Sequence, residues 1–265
     1  MLTVSPNNKK MEEFACSSDL CHMGHGTYPR ATRLNDGSLL GTHTALQNGE
    51  NVIVTTRSTD EGLNWRGFGE VIRGVGDIDN PFVIQLQNGI VLCAFRNHSK
   101  NSDGGYVHFR ITICVSEDGG RCWKYLSTAE ESSHSEKGLW EPFMRLAKDG
   151  SLQLYYSREN GCHDQDSIQR ISHDGGATWG EVIAFSGYGI IARDGMLGLV
   201  EFGNQLVAVF ETDEEGPMHI KSVISPDDGK TWAHRQLIYR APRGVAAAPQ
   251  IANCGGVLIA GTLGE

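Results

Sequence analysis

From Tyr28 onward, short runs of alternating apolar and polar residues are separated by glycine-containing turns. Period-two alternation marks strands, and Asn-Gly or Asp-Gly between two such runs marks a hairpin. One order of runs recurs. A first strand is predicted over 29–34, 81–86, 142–146 and 196–202, each followed by a turn such as Asn35-Asp36-Gly37 or Lys148-Asp149-Gly150. A second follows over 38–44, 90–95, 151–157 and 205–211. A third covers 51–57, 108–115, 167–171 and 219–224, and a fourth 68–72, 124–127, 181–185 and 235–239. No stretch has the period of an amphipathic helix.

Between each third and fourth strand stands one motif, Ser-x-Asp-x-Gly-x-x-Trp. Its copies begin at Ser58, Ser116, Ser172 and Ser225, spaced 58, 56 and 53 residues apart. Four antiparallel strands in a period of about 50 residues define a blade of a β-propeller. The fold expected is therefore all-β, a propeller of four-stranded antiparallel blades. In the box the Asp is suited to accept backbone N–H bonds, the Gly to take a positive φ, and the Trp to pack between blades. The boxes read as scaffold. A fifth period gives a strand near 249–251, a turn at 254–256 and a strand over 257–262. Four blades and a hairpin leave an exposed edge, so 28–265 reads as an incomplete propeller from a longer parent. Residues 1–27 read as a loosely packed leader.

Composition narrows the function. A net charge of −9 argues against a nucleic-acid surface, which needs clustered Lys and Arg. No apolar run approaches the ~18 residues of a membrane helix. The first residues have no apolar core of a secretory signal. Seven scattered cysteines do not resemble a disulfide framework, and Cys16, Cys21, His22 and His25 lack the second pair that a zinc site requires. No metal or organic cofactor is expected, and the chain reads as a monomer.

Strand direction places the starts of first strands and the ends of second strands on one face, opposite the boxes. That face collects Tyr28, Arg30, Asp77, Asp79, Asn80, Arg96, Asn97, His98, Trp140, Glu141, Arg193, Asp194 and Glu211, with Asp164 and Asp166 from a neighbouring excursion. Charged residues converging on a concave mouth form a site candidate. Glu141 beside Trp140 and Glu211 beside Phe210 are the carboxylates expected to have raised pKa values.

At these residues the chain resembles known proteins. The boxes resemble the Asp-boxes of sialidase-superfamily propellers. Tyr28-Pro29-Arg30, Asp79-Asn80-Pro81-Phe82, Ala94-Phe95-Arg96-Asn97-His98, Trp140-Glu141-Pro142-Phe143, Asp164-Gln165-Asp166, Arg193-Asp194-Gly195-Met196 and Phe210-Glu211 resemble more specifically the fungal exo-arabinanases of glycoside hydrolase family 93. The resemblance covers about residues 28–262. It implies a six-bladed propeller, secretion, and retaining release of arabinobiose from the end of linear α-1,5-arabinan, a plant cell-wall glycan. It also implies that Glu141 and Glu211 are the catalytic pair, here read as nucleophile and acid/base respectively. Tyr28, Arg30, Asp79, Asn80, Arg96, Asn97, His98, Asp164, Asp166, Arg193 and Asp194 are then the substrate-binding set. The family takes further site residues, including a tyrosine, from its last blade, which is expected to be absent here. Two other readings stay open. An exo-sialidase would use Arg30 and Arg193 on a sialic carboxylate, although sialidases place Arg before Ile-Pro and this chain has Pro29-Arg30. A sugar-binding propeller without catalysis is the other.

Overall fold

In the computed structural model, which describes residues 2–4 and 21–264, every helix or strand is a strand. The first sheet is β2 (Thr27–Arg33), β3 (Leu39–Gln47), β4 (Glu50–Ser58) and β5 (Arg66–Gly74), paired in chain order. The second is β6 (Asp77–Gln85), β7 (Val91–Lys100), β8 (Tyr106–Ser116) and β9 (Lys124–Ser132). β10 (Leu139–Leu146), β11 (Leu152–Gly161), β12 (Asp164–Ser172) and β13 (Ile183–Ser186) make the third. β14 (Gly195–Phe202), β15 (Gln205–Thr212), β16 (His219–Ser225) and β17 (Ala233–Tyr239) make the fourth. All sixteen predicted strands of the four periods are present, and the pairings of the first, second and fourth sheets are antiparallel.

The fifth sheet differs from the predicted hairpin. β18 (Ala246–Cys254) and β19 (Val257–Gly264) pair as expected, but β1 (Leu2–Val4) adds to the far edge of β19, with Leu2 opposite Ala260 and Val4 opposite Leu258. Residues 2–4 are thus a strand within the span predicted as leader. The pairing covers the stretch Leu258–Ala260 of an edge that would otherwise present its N–H and C=O groups bare. Three residues are too few to show a period, so the sequence hides this strand.

Two compact units divide the chain. One contains 21–155 and 170–181, the other 2–4, 156–169 and 182–264. In the first, Trp123 packs against two clusters, one with Ile53, Val71, Val83 and Phe95 and one with Leu34, Leu40 and Val91, drawn from the first two sheets and the turn after β2. Trp179 extends its indole N–H to Ser127 Oγ at 3.1 Å. In the second, Trp232 reaches Gln169 Oε1 at 3.0 Å and tilts against Phe185. The box tryptophans are joints of the scaffold.

Each box is built alike. Ser172 Oγ donates to Asp174 Oδ1 at 2.8 Å and accepts from Gly176 N at 2.8 Å, while Thr178 N donates to Asp174 Oδ1 at 2.8 Å. The same Ser–Asp bond and the same glycine N–H bond recur at Ser58, Ser116 and Ser225. Hydrogen bonds from Thr178 and Ser172 hold the Asp174 carboxyl at about 2, below its usual value. Two consecutive residues turn with positive φ: Gly175 and Gly176 here, Glu61 and Gly62 in the first copy. Ser172 is 1% exposed, so Ser172→Ala strands the buried Gly176 N–H. The expected loss is about 1–3 kcal/mol of stability by urea unfolding.

The first strand of each sheet also departs from expectation, and this departure shapes the site. β2, β6 and β10 start two to four residues earlier than predicted and run through the proline. The register slips between Thr27 and Arg30, Asp79 and Phe82, Gly195 and Gly198, and Ala247 and Gln250. Inside each slip sits a non-glycine residue with positive φ: Tyr28 (51°), Asn80 (54°), Met196 (50°) and Ala248 (50°). In β10 the corresponding residue is Glu141, at 47°. Such bulges re-aim side chains, and a left-handed L-residue costs about 1–3 kcal/mol. Tyr28, Asn80, Glu141 and Ala248 each precede a proline, where extended backbone is the usual preference. The proline therefore reads as the beginning of a strand rather than the middle of a bulge.

Candidate active site

In the unit containing 21–155, the predicted residues gather around Arg96. Its Nε donates to Asp77 Oδ1 at 3.1 Å and its Nη2 to Asp79 Oδ2 at 2.9 Å. Its guanidinium lies 5.5 Å from the ring centres of both Tyr28 and Trp140, a cation stacked between two aromatic faces. Tyr106 Oη donates to Asp77 Oδ2 at 2.5 Å, and burial together with that bond raises its pKa. Asp79 Oδ1 accepts from Asn80 N at 2.8 Å. Arg30 is half-buried and bonds the carbonyl of Pro29. Burial lowers its pKa, partly offset by Tyr28 and Glu141. The charge of Glu141 is also felt by Arg96. The Glu141 charge thus acts on both guanidinium groups. The Asn80 amide nitrogen and the Trp140 indole N–H are buried without a partner in the protein. Buried donors in that condition are costly unless a ligand or water meets them.

Asn97 and His98 behave differently. Asn97 Nδ2 donates to Thr112 Oγ1 at 3.3 Å, a bond within the sheet. His98 is 1% exposed and caged by Tyr106, Phe109 and Trp140. Its Nδ1 accepts from Arg110 N at 3.2 Å, so Nε2 carries the proton and donates to Leu139 O at 2.7 Å. Burial drives its pKa down to about 4. The ring ties β7 to the start of β10, just before Trp140 and Glu141. An unfolded histidine binds a proton near pH 6.5. His98 therefore contributes stability that is complete above pH 6.5 and lost as pH falls toward 4. Thermal melts across pH 7 to 4 are expected to fall more steeply for the parent than for His98→Gln.

In the other unit the candidates gather around Arg193. Its Nη2 donates to Glu159 Oε1 at 2.7 Å and Gln165 Oε1 at 2.9 Å, and its Nη1 to Cys162 O at 3.3 Å. Its backbone N–H donates to Asp213 Oδ1 at 2.7 Å. Glu211, at the end of β15, is half-buried and accepts from Ala248 N at 2.6 Å. Burial raises its pKa, opposed by the Ala248 N–H and by Arg193. Phe210, the neighbour first held responsible, is fully buried under Arg235, and residues adjacent in a strand face opposite sides.

Asp194 and Asp166 are more enclosed than a rim position predicts. Asp194 is 0% exposed. It accepts from Arg235 Nη1 at 2.6 Å, Arg235 Nη2 at 2.9 Å and Ser186 Oγ at 2.5 Å. Asp166 accepts from Asn160 Nδ2 at 2.9 Å, and its other oxygen is buried without a partner. Burial raises its pKa. Gly187 passes so close that a Cβ there would lie 2.6 Å from Asp166 Oδ1. Asp164 is half-buried at the start of β12. Sequence reasoning missed Tyr106, Arg235 and the Ala248 N–H. The last carries no side-chain signal, and Arg235 stands just beyond a box, on strand four.

A cavity of about 670 Å³ in the first unit is lined by His22, His25, His43, Trp65 and Phe68 among others, and by none of the predicted substrate-binding residues. Among the described residues no His, Cys, Asp and Glu side chains cluster as a metal site, and the six described cysteines are free.

The fold resembles those of several solved structures. An α-L-arabinanase of Penicillium chrysogenum, complexed with arabinobiose, matches with a TM-score of 0.71 and 22% identity, over 84% of this chain and 70% of that one. A family 93 α-L-arabinofuranosidase of Fusarium graminearum, also with arabinobiose, matches at 0.70 and 22%, over 84% and 69%. An endo-arabinase of Bacteroides thetaiotaomicron matches at 0.63 and 13%, over 89% and 88%. No protein-family model and no curated protein sequence matches the chain.

Proposed function

We propose that this chain is a propeller glycoside hydrolase acting on α-1,5-arabinan, with Glu141 as nucleophile and Glu211 as acid/base, releasing arabinobiose from the chain end with retention. The observation that carries this reading is the contrast between the two glutamates. Glu211 sits where burial raises its pKa, as an acid that must hold a proton requires. The charge of Glu141 is felt by Arg30 and Arg96, surroundings that suit an anionic nucleophile. Pairs of carboxyls whose environments push them apart divide acid and nucleophile roles. Tyr28, Trp140 and Asn80 offer aromatic faces and an unpaired amide to a sugar. Asn97, His98 and Asp194 brace the strands that carry the site. Asp164 and Asp166 remain candidates for sugar hydroxyls.

The sialidase reading is less well supported. Its carboxylate would need open guanidinium donors, whereas Arg193 already donates to Glu159, Gln165 and Cys162. The test is a substrate panel. The protein is expected to release a disaccharide from debranched arabinan and to leave a sialoside reporter intact. The reverse result overturns the proposal, and binding without cleavage selects the non-catalytic reading.

A further inference from the structure

One peptide group in the fifth sheet is held from both sides. The Ala248 N–H donates to Glu211 Oε2 at 2.6 Å. The carbonyl of the same peptide, Ala247 O, accepts from Thr262 Oγ1 at 2.6 Å. This peptide is the bulge of β18, where the register slips and Ala248 takes a φ of 50°. The Thr262 hydroxyl has a single proton. Its other neighbour, Leu263 O, is farther away at 3.1 Å.

We propose that Thr262 is a positioning residue for Glu211, acting through the Ala247–Ala248 peptide. A bulged peptide outside the regular ladder is freer to turn over than one within it. If it turned, the Ala247 carbonyl would face the carboxylate, and two acceptors would meet. The Thr262 hydroxyl holds the carbonyl on the far side and so keeps the N–H on Glu211. A carbonyl that accepts a hydrogen bond also polarises its own N–H, strengthening the bond onward. Few charges compete for this role. Arg193 is the charge Glu211 feels, Asp213 takes the Arg193 backbone N–H, and Lys221 is paired with Glu214. β18 and β19 carry no charged residue, and Cys254 lies at their distal turn. The clamp is therefore what the fifth sheet supplies to Glu211.

The inference rests on the reading of Glu211 as acid/base, and its test is kept separate from activity. Thr262→Val keeps the shape and removes the donor, whereas Thr262→Ser keeps the donor. The Glu211 carboxyl is titrated by carbon-13 NMR, assigned through Glu211→Gln. An N–H bond to the ionised form lowers a carboxyl pKa, so its loss raises it. The expected result is a midpoint about half a pH unit or more higher in Thr262→Val, with Thr262→Ser at the parent value. kcat on arabinan is expected to fall about tenfold with KM unchanged. Equal midpoints in parent and Thr262→Val overturn the proposal, even in an active enzyme. A shifted midpoint in a protein that does not cleave arabinan upholds the clamp and overturns the activity reading. If Thr262→Val unfolds, Thr262→Ala removes the same donor. Unfolding of both variants overturns positioning in favour of a purely structural threonine.

Discussion

Glu211→Gln is expected to lower kcat/KM on debranched arabinan by about 10³-fold or more without loss of thermal stability. Glutamine has the shape of the native side chain, and its amide oxygen still accepts from the Ala248 N–H. It removes a carboxyl that burial already disfavours as an anion, so the fold loses little. The proton that the proposed role supplies to the leaving sugar oxygen is what disappears. An aryl arabinoside with a good leaving group does not need that proton for bond breaking, so Glu211→Gln is expected to retain its first turnover on such a substrate. Glu141→Gln removes the proposed nucleophile and is expected to fail on both substrates. If the two variants exchange behaviour, the roles are exchanged. The pH profile adds a sign. Because the Glu211 pKa is raised, its acid form persists to higher pH, and activity falls on the alkaline side as it ionises. That limb is expected to vanish for an aryl substrate in Glu211→Gln.

Arg235→Met is expected to be the most destabilising single change near the site, by about 3–5 kcal/mol in urea unfolding. Arg235 donates to Asp194 with both terminal nitrogens and to Glu214, and its guanidinium lies 4.8 Å from the Phe210 ring centre. Asp194 has no exposed surface. Removing its partner leaves a buried anion with only Ser186 Oγ to meet it. The pair itself need not be strongly stabilising, because desolvation offsets most of its attraction. The double variant Arg235→Met with Asp194→Leu separates these terms. It is expected to recover most of the lost stability, since no unpaired charge remains. A double variant as unstable as Arg235→Met alone would place the cost in lost packing over Phe210 instead.

The parts legible in the sequence are those where one physical requirement repeats. The serine, aspartate and glycine of the box make the same bonds in all four copies, so the motif marks the phase of every strand between them. Nothing comparable marks the bulges. Pro29, Pro81 and Pro142 look like strand starts because extended backbone usually precedes proline, yet Tyr28, Asn80 and Glu141 turn left-handed inside the strands. Residue type does not report burial. His98 and Asp194 carry groups that a sugar site uses, but one is caged by aromatic rings and the other is saturated by Arg235. The support of Glu211 was the least legible feature. It comes from a backbone N–H 37 residues away, held by a threonine on the next strand.

Proton NMR of the first sugar released from debranched arabinan tests the central claim most directly. The α-anomer of arabinobiose is expected at early times, equilibrating to the β-anomer only afterwards, because the proposed covalent intermediate on Glu141 would preserve configuration. First appearance of the β-anomer, or no disaccharide at all from folded protein, would contradict it.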